Sequence, residues 1–276
     1  MSRKQLMPGI CGAVILSVII TGSILAPLLA PVSPSQVDMS RSLLPPSPEH
    51  LLGTDLLGRE MLSRILYGGR SSLLLALAAT LAAMVIGLLA GTVGGYYGGP
   101  ADRLLLILLS IVQGLPGTSL MIAIAGIMGP SPQSLLAALV MTNWAGFARI
   151  IRTEVLRLKQ ENFVAGLKSL GAGDGVIMWR HILPNLKGNV VVLFTARIGR
   201  AVLSISGLSF LGLGVQPPTP DWSVMINDAR MNFRSAPHLI LVPGACIVLL
   251  LLSINLVGDM LRDIFDKRSQ EAGGYR

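Results

Sequence analysis

The stretch Glu161-Asn162-Phe163-Val164-Ala165-Gly166-Leu167-Lys168-Ser169-Leu170-Gly171, running on to Arg180-His181-Ile182-Leu183-Pro184-Asn185, decides how this chain is read. Phe163, Val164, Leu167 and Leu170 recur at helical spacing and give one apolar face on an otherwise polar helix. Gly171, Gly173 and Gly175 supply the positive-φ freedom of a sharp reversal. Asp174 is placed to cap a second short helix carrying Val176, Ile177, Trp179 and Ile182, and Pro184 ends it. Residues 152–187 hold six basic side chains (Arg152, Arg157, Lys159, Lys168, Arg180, Lys187) against three acidic ones (Glu154, Glu161, Asp174). The product is a basic helix–turn–helix facing water. Its apolar face has three possible covers: the headgroup layer of a membrane, with Lys and Arg on anionic lipid; the chain's own spans; or a cleft on a partner subunit.

The sequence on either side is too greasy for a soluble domain. Of its 276 residues 52% are hydrophobic and 13% charged, with a mean hydropathy of +0.67. Soluble domains carry roughly 25% charged residues, so the supply cannot cover a water-facing surface. The chain reads as an all-α integral membrane protein. Its formal charge of +8 is not a nucleic-acid signal, because the basic residues cluster beside apolar spans. Cys11 and Cys246 sit inside apolar runs and read as small buried hydrophobes, with no disulfide frame.

Six spans of about 20 residues each can be drawn, near 10–30, 72–96, 104–128, 133–151, 189–212 and 238–258. The first resembles a signal peptide in its Arg3 and Lys4, but its apolar run matches a span better than a signal core. With the N-terminus inside, 14 Lys and Arg fall in cytoplasmic pieces against 6 outside, which places both termini in the cytoplasm. The organisation is then an N-terminal span (1–31), an extracytoplasmic loop (32–71), a core (72–258) containing the insert, and a cytoplasmic tail (259–276). The outer loop opens as a Pro-rich linker and changes at Leu52-Gly53-Thr54-Asp55-Leu56-Leu57-Gly58-Arg59-Glu60, where a short helix capped by Thr54 or Asp55 is expected.

Gly171 followed by Arg180-His181-Ile182-Leu183-Pro184-Asn185 resembles the coupling loop of ABC-transporter permeases, closest to the dipeptide, oligopeptide and nickel importers. The rest of the chain from about 50 to 266 agrees in order. It shows Leu52-Gly53-Thr54-Asp55 with Leu57-Gly58-Arg59, then Tyr96-Tyr97-Gly98-Gly99, then Trp144 with Ala148-Arg149. Further on come Gly207-Leu208-Ser209-Phe210-Leu211-Gly212-Leu213-Gly214, Trp222 with Met225-Ile226-Asn227-Asp228-Ala229-Arg230, and Asn255-Leu256 with Gly258-Asp259. The resemblance implies a type I importer permease fold. It also implies a second, homologous permease chain, two ATPase subunits that bind ATP and Mg, and an extracytoplasmic solute-binding protein. The setting would be a bacterial inner membrane. Within the loop it assigns ATPase coupling to Glu161, Phe163, Val164, Ala165, Leu167, Lys168, Leu170, Gly171, Ala172, Arg180, His181 and Pro184. The family usually has Glu-Ala-Ala before the glycine where this chain has Ala165-Gly166-Leu167, so the carboxylate is missing there and Glu161 lies one helical turn upstream. The run Met225-Ile226-Asn227-Asp228-Ala229-Arg230 after Trp222 looks most like the nickel-importer branch, so the solute the resemblance implies is nickel or a metal chelate ahead of a di- or oligopeptide.

Inside the bilayer Arg197 and Arg200 lie three apart on one helix face, and either snorkel or line a pathway, Arg200 being the candidate for an anionic or chelated solute. Asn255 and Asp259 read as a hydrogen-bonded pair at the inner interface. Gly114, Pro116 and Gly117 interrupt the third span, as a packing kink or a binding break. His50, His181 and His238 are too scattered for a metal site. A stand-alone secondary transporter or channel would need coupling carboxylates in mid-span, which the sequence lacks. An enzyme would need a motif such as His-Glu-x-x-His, and no Gly-x-x-x-x-Gly-Lys-Ser/Thr loop is present for ATP, so no catalytic residue and no cofactor is assigned to this chain.

Overall fold

The computed structural model describes residues 3–273, and side chains from Leu6 to Phe265. The cationic side chains of Arg3, Lys4, Lys267 and Arg268, and Arg276 at the end of the tail, lie outside the described residues. Among the described residues nine helices carry the architecture: α1 (Arg3–Ile24), α2 (Met61–Tyr97), α3 (Gly99–Gly114), α4 (Gly117–Met128), α5 (Pro132–Lys159), α6 (Asn162–Ser169), α7 (Lys187–Phe210), α8 (Trp222–Ala229) and α9 (His238–Gly273). Among the described residues α1, α2, α5, α7 and α9 are each long and apolar enough to cross a membrane, and α3 with α4 makes a sixth candidate if counted as one.

That sixth candidate is not a straight span. α3 and α4 meet at 86°, around Leu115, which is extended (φ −98°, ψ 145°). The residue before proline is pushed out of the helical region, and Pro116 brings no N–H to bridge the gap. The expected crossing at 104–128 is therefore two helices and a corner.

α2 departs from expectation at its other end. It starts at Met61 rather than near 72 and runs for 37 residues, about 55 Å at 1.5 Å per residue. That exceeds the roughly 40–45 Å of a whole bilayer, so its two ends stand on opposite sides. Residues 52–60 do not form a helix. They make a tight turn closed by a Thr54–Glu60 bridge, with Gly53 and Gly58 at φ +76° and +70°. Asp55 organises it: Oδ1 accepts from the N–H groups of Leu57 and Arg59, both at 2.9 Å. A side chain that satisfies backbone donors locally competes with helix formation, and here it wins.

Glycines set the helix pairing. Gly87, Gly91 and Gly95 form a stripe along α2 against Phe147, Ala148 and Val155 of α5, where a Cβ on Gly91 would stand 2.6 Å from the Ala148 carbonyl. Small residues at this spacing let two backbones approach closely in a membrane. Both chain numbers rise together along the contact, so α2 and α5 run parallel and end on the same side. α9 lies antiparallel to α1, with Gly9 against Met260 and Gly12 against Leu256, and antiparallel to α7, with Gly188 against Phe265. The start of α1, the start of α7 and the later part of α9 consequently share the end of the bundle where α2 and α5 finish. Cys246 is half-buried, but Cys11 is exposed on the free face of α1, not tucked into a core.

Candidate functional site

The insert stands on the end of that parallel pair. α6 leaves α5 through a single turn, with Glu161 as its N-cap. It closes in a Schellman arrangement: the Ala172 N–H donates to the Leu167 carbonyl and the Gly171 N–H to the Lys168 carbonyl, both at 3.0 Å, with Gly171 at φ +78°. Of the three glycines expected to turn the chain, only Gly171 adopts a positive φ, which is the position where a glycine is needed. The return arm is Asp174–Val176, a wide π-turn Ile177–Ile182, and Leu183–Asn185. Pro184 does not end the arm. The widened turn ahead of it absorbs the missing hydrogen bond, and proline sits in the first turn of the last piece.

The apolar face of α6 is covered by the chain itself. Val164 is 1% exposed, in a cluster with Tyr96, Ile151, Val155, Leu158, Ile177, Met178, Ile182 and Leu186, and Phe163, Leu167 and Ala172 pack against its edge. Of the twelve residues assigned to coupling, those four therefore build the base of the knob. The exposed ones are Ala165, Lys168, Leu170, Gly171 and Arg180, with His181 and Pro184 half-buried. Leu170, expected on the buried face, is 85% exposed; the helix ends at Ser169, and the turn carries it outward. Trp179 and Val176 of the return arm are exposed as well. Glu161 pairs with Arg157 at 3.6 Å, on the stem of the knob.

Polar ties the sequence did not announce fix this base to the spans. The Tyr96 hydroxyl donates to Asp174 Oδ1 at 2.6 Å, so Asp174 serves as a strut and not as the expected side-chain cap; no side-chain cap is formed at that turn. Lys159 Nζ donates to the Tyr96 carbonyl at 2.6 Å. Lys159 and Lys168 place their ammonium groups 5.5 and 5.9 Å from the centre of the Tyr96 ring. Arg152 grips Asp102 of α3 with two guanidinium nitrogens, Nη2 donating to Oδ2 at 2.6 Å. Tyr96 ends an apolar span beside a basic insert, a signal of position but not of partner.

The two intramembrane arginines separate. Arg200 is exposed on α7, whereas Arg197 is half-buried and lies over the Phe147 ring, 5.4 Å from its centre. Gly146 lets it lie there: a Cβ at that position would meet Arg197 Nη2 at 2.6 Å, and the guanidinium would have to shift.

At the far end of α2, Asp221 is fully buried and caps α8, accepting from the N–H groups of Ser223 and Val224 at 2.9 and 3.2 Å. Its other oxygen accepts from Ser72 at 2.8 Å. Burial pushes its carboxyl above the usual carboxylate range, against the pull of those hydrogen bonds. Trp222 donates from Nε1 to the Ile65 carbonyl at 2.9 Å and lies on Gly68 and Gly69.

Comparison with known proteins fits this layout. The family model described as "Binding-protein-dependent transport system inner membrane component" matches residues 52–271. A dipeptide transport system permease protein of Alkalihalophilus pseudofirmus is 39% identical over 259 residues, 94% of this chain and 85% of the relative. Glutathione transport system permease proteins of Pectobacterium atrosepticum and Escherichia coli are 42% and 40% identical over 223 residues, 81% of this chain and 74% of each relative. The bent α3–α4 pair, the long parallel α2 and α5 and the knob between α5 and α7 are this chain's form of the type I importer permease fold. Members of this family are permeases that work with ATPase and solute-binding partners, and ATP hydrolysis lies in those partner subunits. The chain belongs to the binding-protein-dependent transport system inner membrane components: it is a multi-pass permease subunit of an ABC importer, not an enzyme.

Proposed function

We propose that this permease forms half of the pathway for short peptides, facing a second, homologous permease chain, and that its knob seats in an ATPase subunit on the cytoplasmic side. The observation that carries the reading is the build of the knob. Its apolar face is spent on its own base, so the exposed tip of Lys168, Leu170, Gly171 and Arg180 is left as a compact convex surface. A buried foundation under a small exposed tip suits a part that transmits force. With the knob cytoplasmic, the charge asymmetry puts both termini on the same side, in keeping with where α1 starts and α9 continues. ATP and Mg then sit on two ATPase subunits, and an external binding protein delivers the solute to the opposite face. The names of the relatives, for dipeptide and glutathione transport, favour a peptide over nickel or a metal chelate.

Leu170→Glu with Lys168→Glu tests the knob, because both positions are exposed and their change leaves the base intact. Purified complex carrying the pair should lose its ATPase subunits. Retention of both ATPases at normal stoichiometry overturns the assignment.

A further inference from the structure

At the end of α2 opposite the knob, a cavity of about 320 Å³ lies between the 52–60 turn and α8, with Asp55, Arg59, Arg64 and Asp228 in its walls beside Met225 and Leu239. That volume is at the lower end of small-molecule sites. Its hydrogen bonding is unbalanced. Each guanidinium brings five N–H donors and no acceptor. Asp55 Oδ1 is occupied by two backbone N–H groups, and Oδ2 takes Arg59 Nε at 2.6 Å. Arg64 is 2% exposed, and its nearest carboxylate contact is Nε to the same Asp55 oxygen at 3.4 Å. Neither its Nε nor its Nη1 has a hydrogen-bond partner among the described residues.

A buried cation with unmatched donors is costly, and a guest rich in acceptors relieves it. A carboxylate fits the planar fork of a guanidinium edge to edge. Asp228 limits the choice further. It stands 4.0 Å from Arg59 Nη2 with a side chain only about a third exposed, so a doubly charged anion would be repelled while a guest with its own N–H donor would be held.

We infer that this cavity is a subsite for a zwitterionic short peptide, its carboxylate received by Arg64 and its ammonium by Asp228. The choice of peptide over a free amino acid rests on the proposed function; the zwitterion follows from the cavity. Such a site would give the permease its own selectivity for free termini at the face where solute arrives.

The test is calorimetric titration of the full chain in lipid nanodiscs, without ATPases or binding protein. The probes are dialanine, its C-terminal amide, its N-acetyl derivative and sodium acetate. Dialanine should bind saturably, and the amide at least tenfold more weakly. Arg64→Gln should abolish binding, and Arg64→Lys, which keeps the charge without the fork, should restore part of it. Should Arg64→Gln fail to fold, Asp228→Asn reads the opposite wall and should bring dialanine down to the affinity of its N-acetyl form. Absence of saturable dialanine binding to the unaltered chain overturns the inference, as does equal affinity for dialanine and its amide, or for dialanine and acetate. None of these results touches the ATPase-retention test of the knob, so the two readings fail separately.

Discussion

The Tyr96 hydroxyl donates a 2.6 Å hydrogen bond to Asp174 across 78 positions of sequence, joining the last turn of the longest spanning helix to the return arm of the knob. With Lys159 bound to the Tyr96 carbonyl, the end of α2, the end of α5 and the knob meet at one residue. Under the proposed coupling role, movement of the knob would pull directly on α2, whose other end lies at the opposite end of the bundle.

Tyr96→Phe keeps the ring and the cation contacts and removes only the strut. A hydrogen bond of this kind is worth about 1 kcal/mol, which corresponds to roughly fivefold faster local opening. Amide exchange across residues 162–176 should accelerate by that factor while the membrane helices stay protected. Unchanged exchange would show that the apolar base alone holds the knob.

Gly91→Val forces a branched side chain into the α2–α5 contact, where even a Cβ meets the Ala148 carbonyl at 2.6 Å. Overpacking of this type costs about 1–3 kcal/mol. The variant should melt at lower temperature in detergent and give less folded protein. Gly126→Ala on α4, where an added Cβ meets nothing within 4 Å, is the matched control and should melt like the parent.

Asp221 gives a pH dependence with a definite sign. Burial raises its carboxyl above the ordinary 3.8, so the folded chain holds that proton at higher pH than the unfolded chain does. Stability should therefore increase as pH falls from neutral through the raised value toward 3.8, and the cost of the charged form should be fully present above it. Asp221→Asn keeps the capping oxygen without the charge. Its melting temperature should match or exceed the parent at neutral pH, and the gap should close on acidification. Asp221→Ala loses the cap along with the buried charge, so its cost should be smallest at neutral pH and grow on acidification toward about 1–2 kcal/mol.

Arg200, exposed on α7, is the pathway candidate, whereas Arg197 is occupied by Phe147. We expect Arg200→Ala to lower uptake at least tenfold, about 1.4 kcal/mol, with assembly and basal ATPase activity retained. Transport at the parental rate would remove Arg200 from the pathway.

Much of the fold was legible because apolar runs and basic flanks are local properties. The spans at 133–151 and 238–258 fall inside α5 and α9, whose helices run on into water where hydropathy gives no signal, and 189–212 matches α7 except that the helix stops at Phe210. α2 escaped the same way: residues 61–71 carry Arg64 and Arg70 and read as loop until Trp222 packs on Ile65, Gly68 and Gly69. The hairpin insert was recognised from its spacing, yet its apolar face could be assigned to lipid, self or partner with equal right. Only the cluster around Val164 decides for self.

Composition alone, then, determined that this chain lives in a bilayer, because 13% charged residues cannot solvate a surface of that size, and it marked the one polar insert in the greasy core. Partners remained undetermined: that Tyr96 would hold Asp174, that Arg152 would grip Asp102, and that Arg64 would be buried with donors to spare. The two pairs are 78 and 50 positions apart along the chain, and no periodicity links them. They exist because parallel helices with glycine seams bring distant backbones within van der Waals reach, and only folding sets that distance.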